Sequence, residues 1–478
     1  MKYVDHYAKN RNFVAQKILK TPFMKKFILS AIGAALVAFS ANATDYNIKK
    51  YGAVSDTTKY STKAIQRAID ACSNAGGGRV VVPAGSYKIG SIVLKSNVNL
   101  HLELGATLYG STNIADYTPF GTDFKSLRTQ GTTVQLIYGD KVENVVIDGY
   151  GTIDGRGRNF ATNRGHDEGI TRPHLLRFVQ SKNIVVRDIT IRNSPCWMQH
   201  YLACDHVRIE GVTVFNRNHF NNDGLDLDGC HDVIVSNCFI DSDDDGIVLK
   251  STSPRLCENI IISNCVISSH CNAVKMGTET TGGFRNININ NIVIMPSSDQ
   301  KEKFCGQWTG ISAIALEIVD GGVMENINLS NFTVEGTQAP IYIRLANRAR
   351  PYLAGIEAPG VGSIRNVRIS NFTARNTGVY GSSITAIPGY YVEDVVLENI
   401  SIHHKGGVTA DKVSDRWKDE REKKYPEGTS WHILPSQGFF IRHARNIELS
   451  NIRITSDEAD ERPEFIEIDT HNVSITKK

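Results

Sequence analysis

Three aspartates carry the first chemical signal in this 478-residue chain: Asp223, in Asn221-Asn222-Asp223-Gly224, and the adjacent pair Asp244 and Asp245, in Asp243-Asp244-Asp245-Gly246. Each run is followed by a short alternation, Leu225-Asp226-Leu227-Asp228 after the first and Ile247-Val248-Leu249-Lys250 after the second, and Asn272-Ala273-Val274-Lys275-Met276 repeats the form. Laid over one another as neighbouring strands about 4.8 Å apart, these runs bring Asp223, Asp244 and Asp245 onto one outer face. Leu225, Leu227, Ile247, Leu249, Val274 and Met276 then point inward, and Asp226, Asp228, Lys250 and Lys275 point outward. Carboxylates so close cannot all ionise freely. One keeps its proton while its neighbour stays charged, which sets a general acid beside a general base. Asp241-x-Asp243-x-Asp245-Gly246 imitates the opening of a calcium loop, but Thr252 stands where the closing bidentate Glu is required, so neither metal nor cofactor is expected. Asp228 over Lys250 reads as a ladder ion pair of little energetic weight.

The element that must hold these strands in register is an internal repeat. The pattern Asn/Asp-apolar-x-apolar-x-Asn-apolar-x-apolar recurs from Asn144 through Asn183, His206, Asp232, Asn259, Asn286, Asn326, Asn366 and Asp394 to Asn446. Each unit is two alternating stretches meeting at Asn, Asp or Gly, the residues that tolerate a left-handed bend. Asn237, Asn264, Asn291, Asn331, Asn371, Asn399 and Asn451 are expected to stack coil upon coil, each amide bonding a neighbouring backbone. Leucine-rich repeats need a fixed Leu comb and helical repeats a 3.6-residue period; neither is present. A two-sheet sandwich does not explain the near-constant coil length. The expectation is an all-β, single-domain, right-handed parallel β-helix with a short N-terminal capping helix.

That helix starts at Ser61/Thr62, buries Ala64, Ile65, Ala68, Ile69 and Cys72, and closes at Gly76-Gly77-Gly78, covering strand edges at the open end of the solenoid. Between Asp394 and Asn446 the repeat interval lengthens to hold a charged, helix-like insertion, Asp411–Gly428, either a solvated surface helix or a flap over a groove. Residues 1–43 read as an upstream extension and signal peptide: Met24-Lys25-Lys26 starts it, the apolar run Phe27–Phe39 is too short to span a bilayer, and Ala41-Asn42-Ala43 is the cleavage site. Met24 is the expected start, and 44–478 the expected β-helix domain. The leader carries seven Lys/Arg against one Asp, so its removal takes the formal net charge from +3 to −3. No nucleic-acid partner follows from such a balance, and an exported product, periplasmic or secreted, with no membrane insertion after cleavage is expected. Nine cysteines (72, 196, 204, 230, 238, 257, 265, 271 and 305), an odd number without a Cys-x-x-Cys pair, indicate neither a disulfide framework nor a zinc site.

At the aspartate runs the sequence resembles the family-28 glycoside hydrolases, the polygalacturonases and rhamnogalacturonan hydrolases of pectin breakdown. The likeness begins with residues 51–108 and continues through 172–178 and 193–214. Residues 221–229 match the family's Asn-Thr-Asp-Gly segment, and 243–251 its Gly-Asp-Asp-Cys segment. The resemblance implies that Asp244 is the general acid and that Asp223 and Asp245 activate water in an inverting displacement. Ser269-His270-Cys271-Asn272 stands where the family carries Gly-His-Gly, so His270 takes that histidine's place or is structural. Ala315-Leu316-Glu317 stands where it carries Arg-Ile-Lys. A carboxylate there repels a uronate after the scissile bond, which implies a rhamnogalacturonan-type substrate ahead of plain polygalacturonate.

Lys275, Tyr342 and Arg344 lie on outward positions beside the acids and are candidates for a uronate at another subsite, Arg344 alternatively pairing with Glu317 across coils. His200 and Trp197 match a stretch near the cleft of exo-acting relatives, with Trp197 either a sugar platform or core. Asn272 and Lys250 complete the candidate substrate-binding set. The function expected is an exported, inverting glycoside hydrolase acting on a plant polysaccharide or oligosaccharide. A β-helix polysaccharide lyase and a catalytically inactive glycan-binding β-helix are the competing readings.

Overall fold

Asparagine at the corners is what turns this chain into coils. The computed structural model describes residues 44–130, 133–161, 169–217, 220–296 and 309–478; the leader 1–43 and Cys305 lie outside them. Among the described residues, Asn144, Asn183, Asn237, Asn259, Asn264, Asn286, Asn291, Asn326, Asn331, Asn366 and Asn371 all bend at φ between 52° and 60°. Left-handed backbone costs most other L-residues about 1–2 kcal/mol, which explains why Asn dominates the corners, with Asp232, Asp394 and His206 at equivalent positions. The corner amides form two surface ladders. In one, Asn291 donates to Asn264 at 3.1 Å, Asn331 to Asn291 at 3.0 Å and Asn371 to Asn331 at 3.0 Å. In the other, Asn286 donates to Asn259 at 3.1 Å and Asn326 to Asn286 at 3.0 Å. The bonds run side chain to side chain and are exposed, not buried against backbone as the repeat alone suggested.

Between corners the alternation is strand, each coil pairing in parallel with the next. Parallel crossovers of this kind are right-handed, and the molecule is a right-handed parallel β-helix. One interior column shows the register: Ile184, Val207, Val233, Ile260, Ile287, Ile327, Val367, Val395 and Ile447 stack in consecutive coils. All are buried, and such columns form the one large core.

The capping helix, α1 (Thr62–Asn74), buries the five residues expected and packs on the first strands. Its Ser61 makes no side-chain cap; that hydroxyl donates to the Val54 carbonyl and accepts from the Val54 amide, tying α1 to the preceding turn.

The strands that matter for chemistry are β1 (Leu225–Asp228), β2 (Ile247–Ser251), β3 (Asn272–Thr280), β4 (Ser312–Ile318) and β5 (Ile341–Leu345), stacked in that order. Leu225 pairs with Ile247, Asp228 with Lys250, Ile247 with Val274 and Val248 with Lys275, the register the sequence indicated. The outward side chains of this sheet do not reach solvent: Asp226, Asp228, Lys250, Lys275, Glu317, Tyr342 and Arg344 are all buried. The insertion explains part of this. It holds two short 3-10 turns, Ala410–Lys412 and Asp415–Lys418, not a helix, and folds back so that Trp431 and Leu434 pack on Ala315, Tyr342 and Phe440. The eight described cysteines are all buried.

Candidate active site

Asp223, Asp244 and Asp245 sit at the turns leading into β1 and β2, and hydrogen bonds fix each of them. Asn216 donates to the Asn222 carbonyl at 2.7 Å, and Asn222 donates back to the Asn216 carbonyl at 3.0 Å, clamping the turn before Asp223. The Ser242 hydroxyl lies 3.1 and 3.0 Å from the Asp244 and Asp245 carbonyls, and Ser269 from the next coil donates to the Asp244 carbonyl at 2.6 Å. Gly246 is required here by close approach: a Cβ would lie 2.6 Å from the Ala273 carbonyl oxygen.

The side chains converge on a cavity of about 220 Å³ lined by all three aspartates. Asp244 accepts from the amides of Asn221 and Asp245, both at 3.0 Å. Burial, with Asp223 and Asp245 adding repulsion, holds its carboxyl well above the usual range, so it keeps a transferable proton. Asp245 is the opposite case. Burial pushes it up, but Lys275 Nζ at 2.9 Å, Lys250 and Asn272 outweigh this and leave it below the ordinary value. Asn272 donates to Asp245 Oδ1 from its backbone amide at 3.0 Å and from its side chain at 2.8 Å. Asp223 is raised by burial, with Lys250 offsetting. Lys250 Nζ stands 3.4 Å from Asp223, 3.5 Å from Asp226 and 3.8 Å from Glu279, and 4.6 Å from the Trp197 ring centroid. The trio thus holds a protonated carboxyl beside an ionised one, the arrangement of acid–base chemistry.

The remaining walls were not visible in the sequence. Arg128, Arg348, Arg350, Glu279, Asn221, Thr278 and Tyr425 complete the lining. Arg128 lies over the Trp197 ring at 4.7 Å and donates to Glu279 at 3.0 Å; Arg350 meets the same carboxylate at 3.1 Å. Arg348 and Arg350 are braced by Asp320. Burial opposes ionisation of Glu279, but Lys250 and the three arginines hold it well below its ordinary pKa. Tyr425 arrives from the insertion, its hydroxyl 3.1 Å from Lys275 Nζ. Arginine repetition in Arg348-Ala-Arg350 was the one available signal.

The other expected residues divide. Trp197 lines the cavity yet is buried, with Arg128 and Lys250 over its ring. His200 lies one layer beneath: Trp197 packs edge-on against it at 5.0 Å, Asp228 meets its Nε2 at 3.1 Å, and burial lowers its pKa to about 4, so it is a neutral support. Asp228 is engaged by Thr252 and His200, not by Lys250 as the ladder-pair expectation had it. His270 is buried with Nδ1 3.1 Å from Asp243 and does not line the cavity. Lys275 and Asn272 act on Asp245 from behind the wall and are not among the lining residues.

Tyr342 is enclosed by Trp431, Leu434 and Phe440, and Arg344 donates to the carbonyls of Ala386 (2.8 Å) and Glu420 while lying over the Trp431 ring. Both are covered by the insertion and removed from the candidate uronate set. Glu317 faces Arg344 in register but forms no ion pair with it; its carboxyl is fully buried, unpartnered and pushed up to about 8 by burial, hence neutral at pH 7. A charge that is absent cannot repel a uronate, so the electrostatic ground for excluding one disappears.

Asp244, Asp245 and Cys271 are the described residues whose potential metal-ligand atoms cluster, within 4.8 Å of one another. The two carboxylates already accept from two amides, Asn272 and Lys275, which suits anions held by N–H donors better than a cation site. The calcium-like run is pulled apart: Asp241 faces Arg217, Asp243 faces His270 and Asp245 faces Lys275.

A β-helix carrying an acid–base carboxylate cluster in a cationic cavity defines a class of carbohydrate-processing protein, and comparison places the chain within it. Residues 72–417 match "Glycosyl hydrolases family 28", and the chain belongs to that family. It is similar to a probable polygalacturonase of Vitis vinifera (31% identity over 45% of this chain and 46% of that protein). It is also similar to an exo-poly-alpha-D-galacturonosidase of Dickeya chrysanthemi (32% over 42% and 41%). The chain thus spans about half the length of these curated relatives. Its fold is that of an exopolygalacturonase structure from Thermotoga maritima, with a TM-score of 0.62 and 24% identity over 76% of this chain and 87% of that one.

Proposed function

We propose that the protein is an inverting glycoside hydrolase that removes acidic sugar from the end of a pectic chain. The observation that carries this reading is the cavity itself: Arg128, Arg348, Arg350 and Lys250 surround a protonated Asp244 and an ionised Asp245. Guanidinium groups suit a uronate carboxylate, which they bind in bidentate fashion. Asp244 gives its proton to the glycosidic oxygen as the bond to the anomeric carbon breaks. Asp223 and Asp245 take a proton from the water that attacks the opposite face, so the product sugar has inverted configuration. Trp197 offers a flat apolar edge to the ring.

Action at chain ends draws support from segments that fold back beside the sheet: the Leu127 amide donates to the Thr252 carbonyl at 2.8 Å, Gln130 reaches the Tyr352 carbonyl at 3.1 Å, and Arg128 and Tyr425 line the cavity. The Vitis and Dickeya relatives carry names that specify galacturonan as substrate. With Glu317 neutral and outside the cavity, galacturonate takes precedence over the rhamnogalacturonan preference inferred from that position. Export through the leader belongs to the same proposal and is checked by mass measurement of the mature N-terminus, expected at Thr44.

The test is a panel of polygalacturonate, its short oligomers and rhamnogalacturonan, followed by reducing-sugar release and product analysis. Monomeric galacturonate from the earliest times, with the opposite anomeric configuration by NMR, is expected. An unsaturated, ultraviolet-absorbing product identifies a lyase, and saturable binding without turnover identifies an inactive glycan-binding protein; either refutes the hydrolase reading.

A further inference from the structure

Asp226 is a buried titratable group that the displacement does not use. It is wholly enclosed on β1, one strand position outward from the core column, and neither carboxyl oxygen has a hydrogen-bond donor. Its nearest cation, Lys250 Nζ at 3.5 Å, is shared with Asp223 at 3.4 Å and Glu279 at 3.8 Å. Glu279 has Arg128 and Arg350 as partners of its own, so the contest is between Asp223 and Asp226 for one ammonium, and a single buried cation does not support both charges. The other groups facing Asp226 are Asp245 from the next coil and His200, its register partner in the preceding coil, whose Nε2 is engaged by Asp228. No further cation in this set is available to it.

We propose that Asp226 is a positioning residue, carried as a neutral carboxylic acid whose O–H donates to Asp223 and, with Lys250, holds that base in place and ionised. The assignment of Asp223 as a base rests on the hydrolase reading above. The geometry gives Asp223 two stabilising contacts of different kinds, an ammonium on Oδ2 and a carboxylic acid beside it, and both oppose the rise that burial imposes on its carboxyl. Consistently, burial first and Asp223 second hold the Asp226 carboxyl well above the usual range.

The experiment compares wild type, Asp226→Asn and Asp226→Leu. The amide of Asn keeps a donor for Asp223, whereas Leu removes it without leaving a hole. The pH dependence of kcat/KM on oligogalacturonate is expected to show the acid limb moved upward by about one pH unit in Asp226→Leu, with turnover at pH 5 reduced about tenfold. Asp226→Asn is expected to restore most of both losses. An ionised Asp226 gives the opposite sign: Asp226→Asn then removes a negative neighbour and moves the acid limb downward, which overturns the proposal. A readout independent of catalysis separates this from failure of the hydrolase reading. The infrared difference between wild type and Asp226→Asn at pH 7 should contain the carbonyl stretch of a protonated carboxylic acid. If it contains carboxylate bands in its place, the proposal is wrong, whether or not the protein hydrolyses pectin.

Discussion

Lys275 offers the sharpest test of how the site sets its charges. Its Nζ lies 2.9 Å from Asp245 Oδ2, both groups are buried, and the lysine stands behind the cavity wall. At an effective dielectric of about 20, the direct attraction at that separation is about 6 kcal/mol. Asp245 keeps two donors from Asn272 and the more distant Lys250 when Lys275→Met removes this charge, so the net loss is smaller. Breaking a buried pair costs about 3–5 kcal/mol. The lower figure raises the Asp245 pKa by about two units. Asp245 begins below its ordinary value, so its contribution to stability exists at neutral pH and is lost as pH falls through the folded-state pKa. In Lys275→Met that loss occurs at higher pH. The kcat/KM profile should therefore show an acid limb about two units higher, with activity at pH 5 reduced severalfold and largely recovered near pH 7. If Lys275 instead bound the substrate carboxylate, as its outward position suggested, KM would rise at every pH and the limb would stay. That outcome refutes the argument.

Three other outcomes follow from the same geometry. Asp244→Asn should lower turnover by about 10²–10⁴-fold with binding of oligogalacturonate nearly unchanged, measured by kinetics and calorimetry, because only the transferable proton is lost. Glu317→Gln should stabilise the protein against heat at pH 8 and have little effect near pH 4.5. The wild-type carboxyl is protonated when folded up to about 8 but ionised when unfolded above 4.5, so its stability falls across that window, by up to about 5 kcal/mol. Asn264→Leu should cost about 1–2 kcal/mol in a denaturant melt, and Asn264→Gly less, because the position bends at φ 56° on the surface; equal losses would point to the amide ladder instead of the backbone.

The parts legible in the sequence are those that strand alternation and corner chemistry determine. A two-residue period says which side chains enter the coil, and Asn at fixed spacing says where the coil turns, so the β1, β2 and β3 register and the meeting of Asp223, Asp244 and Asp245 followed directly. The same period is silent about what covers the outside. Asp226, Glu317, Tyr342 and Arg344 alternate out of the core and were therefore expected to meet solvent or substrate, yet all four are buried. The strand Ser382–Thr385, which stacks between β5 and Phe439, was missed because its serines and threonine lack the apolar signal of the others. It contributes backbone pairing and a single interior Ile384.

Burial outside the coil is decided by segments that have no period. Arg128 belongs to the irregular stretch before residue 131, Arg348 and Arg350 to the turn after β5, and Tyr425 to the insertion; each reaches the cavity by folding back over the sheet. Nothing in local spacing encodes that return, and one consequence is chemical. A carboxyl on an uncovered sheet face is solvated and ionised, whereas the same carboxyl under a loop is protonated unless a cation accompanies it. Asp245 has Lys275 and is ionised; Glu317 has no hydrogen-bond partner and is neutral at pH 7. The loops therefore do more than shape the cavity. By excluding water from one sheet face, they sort a row of similar acids into proton donor, base and silent neighbours, and the lysines on β2 and β3 decide which is which.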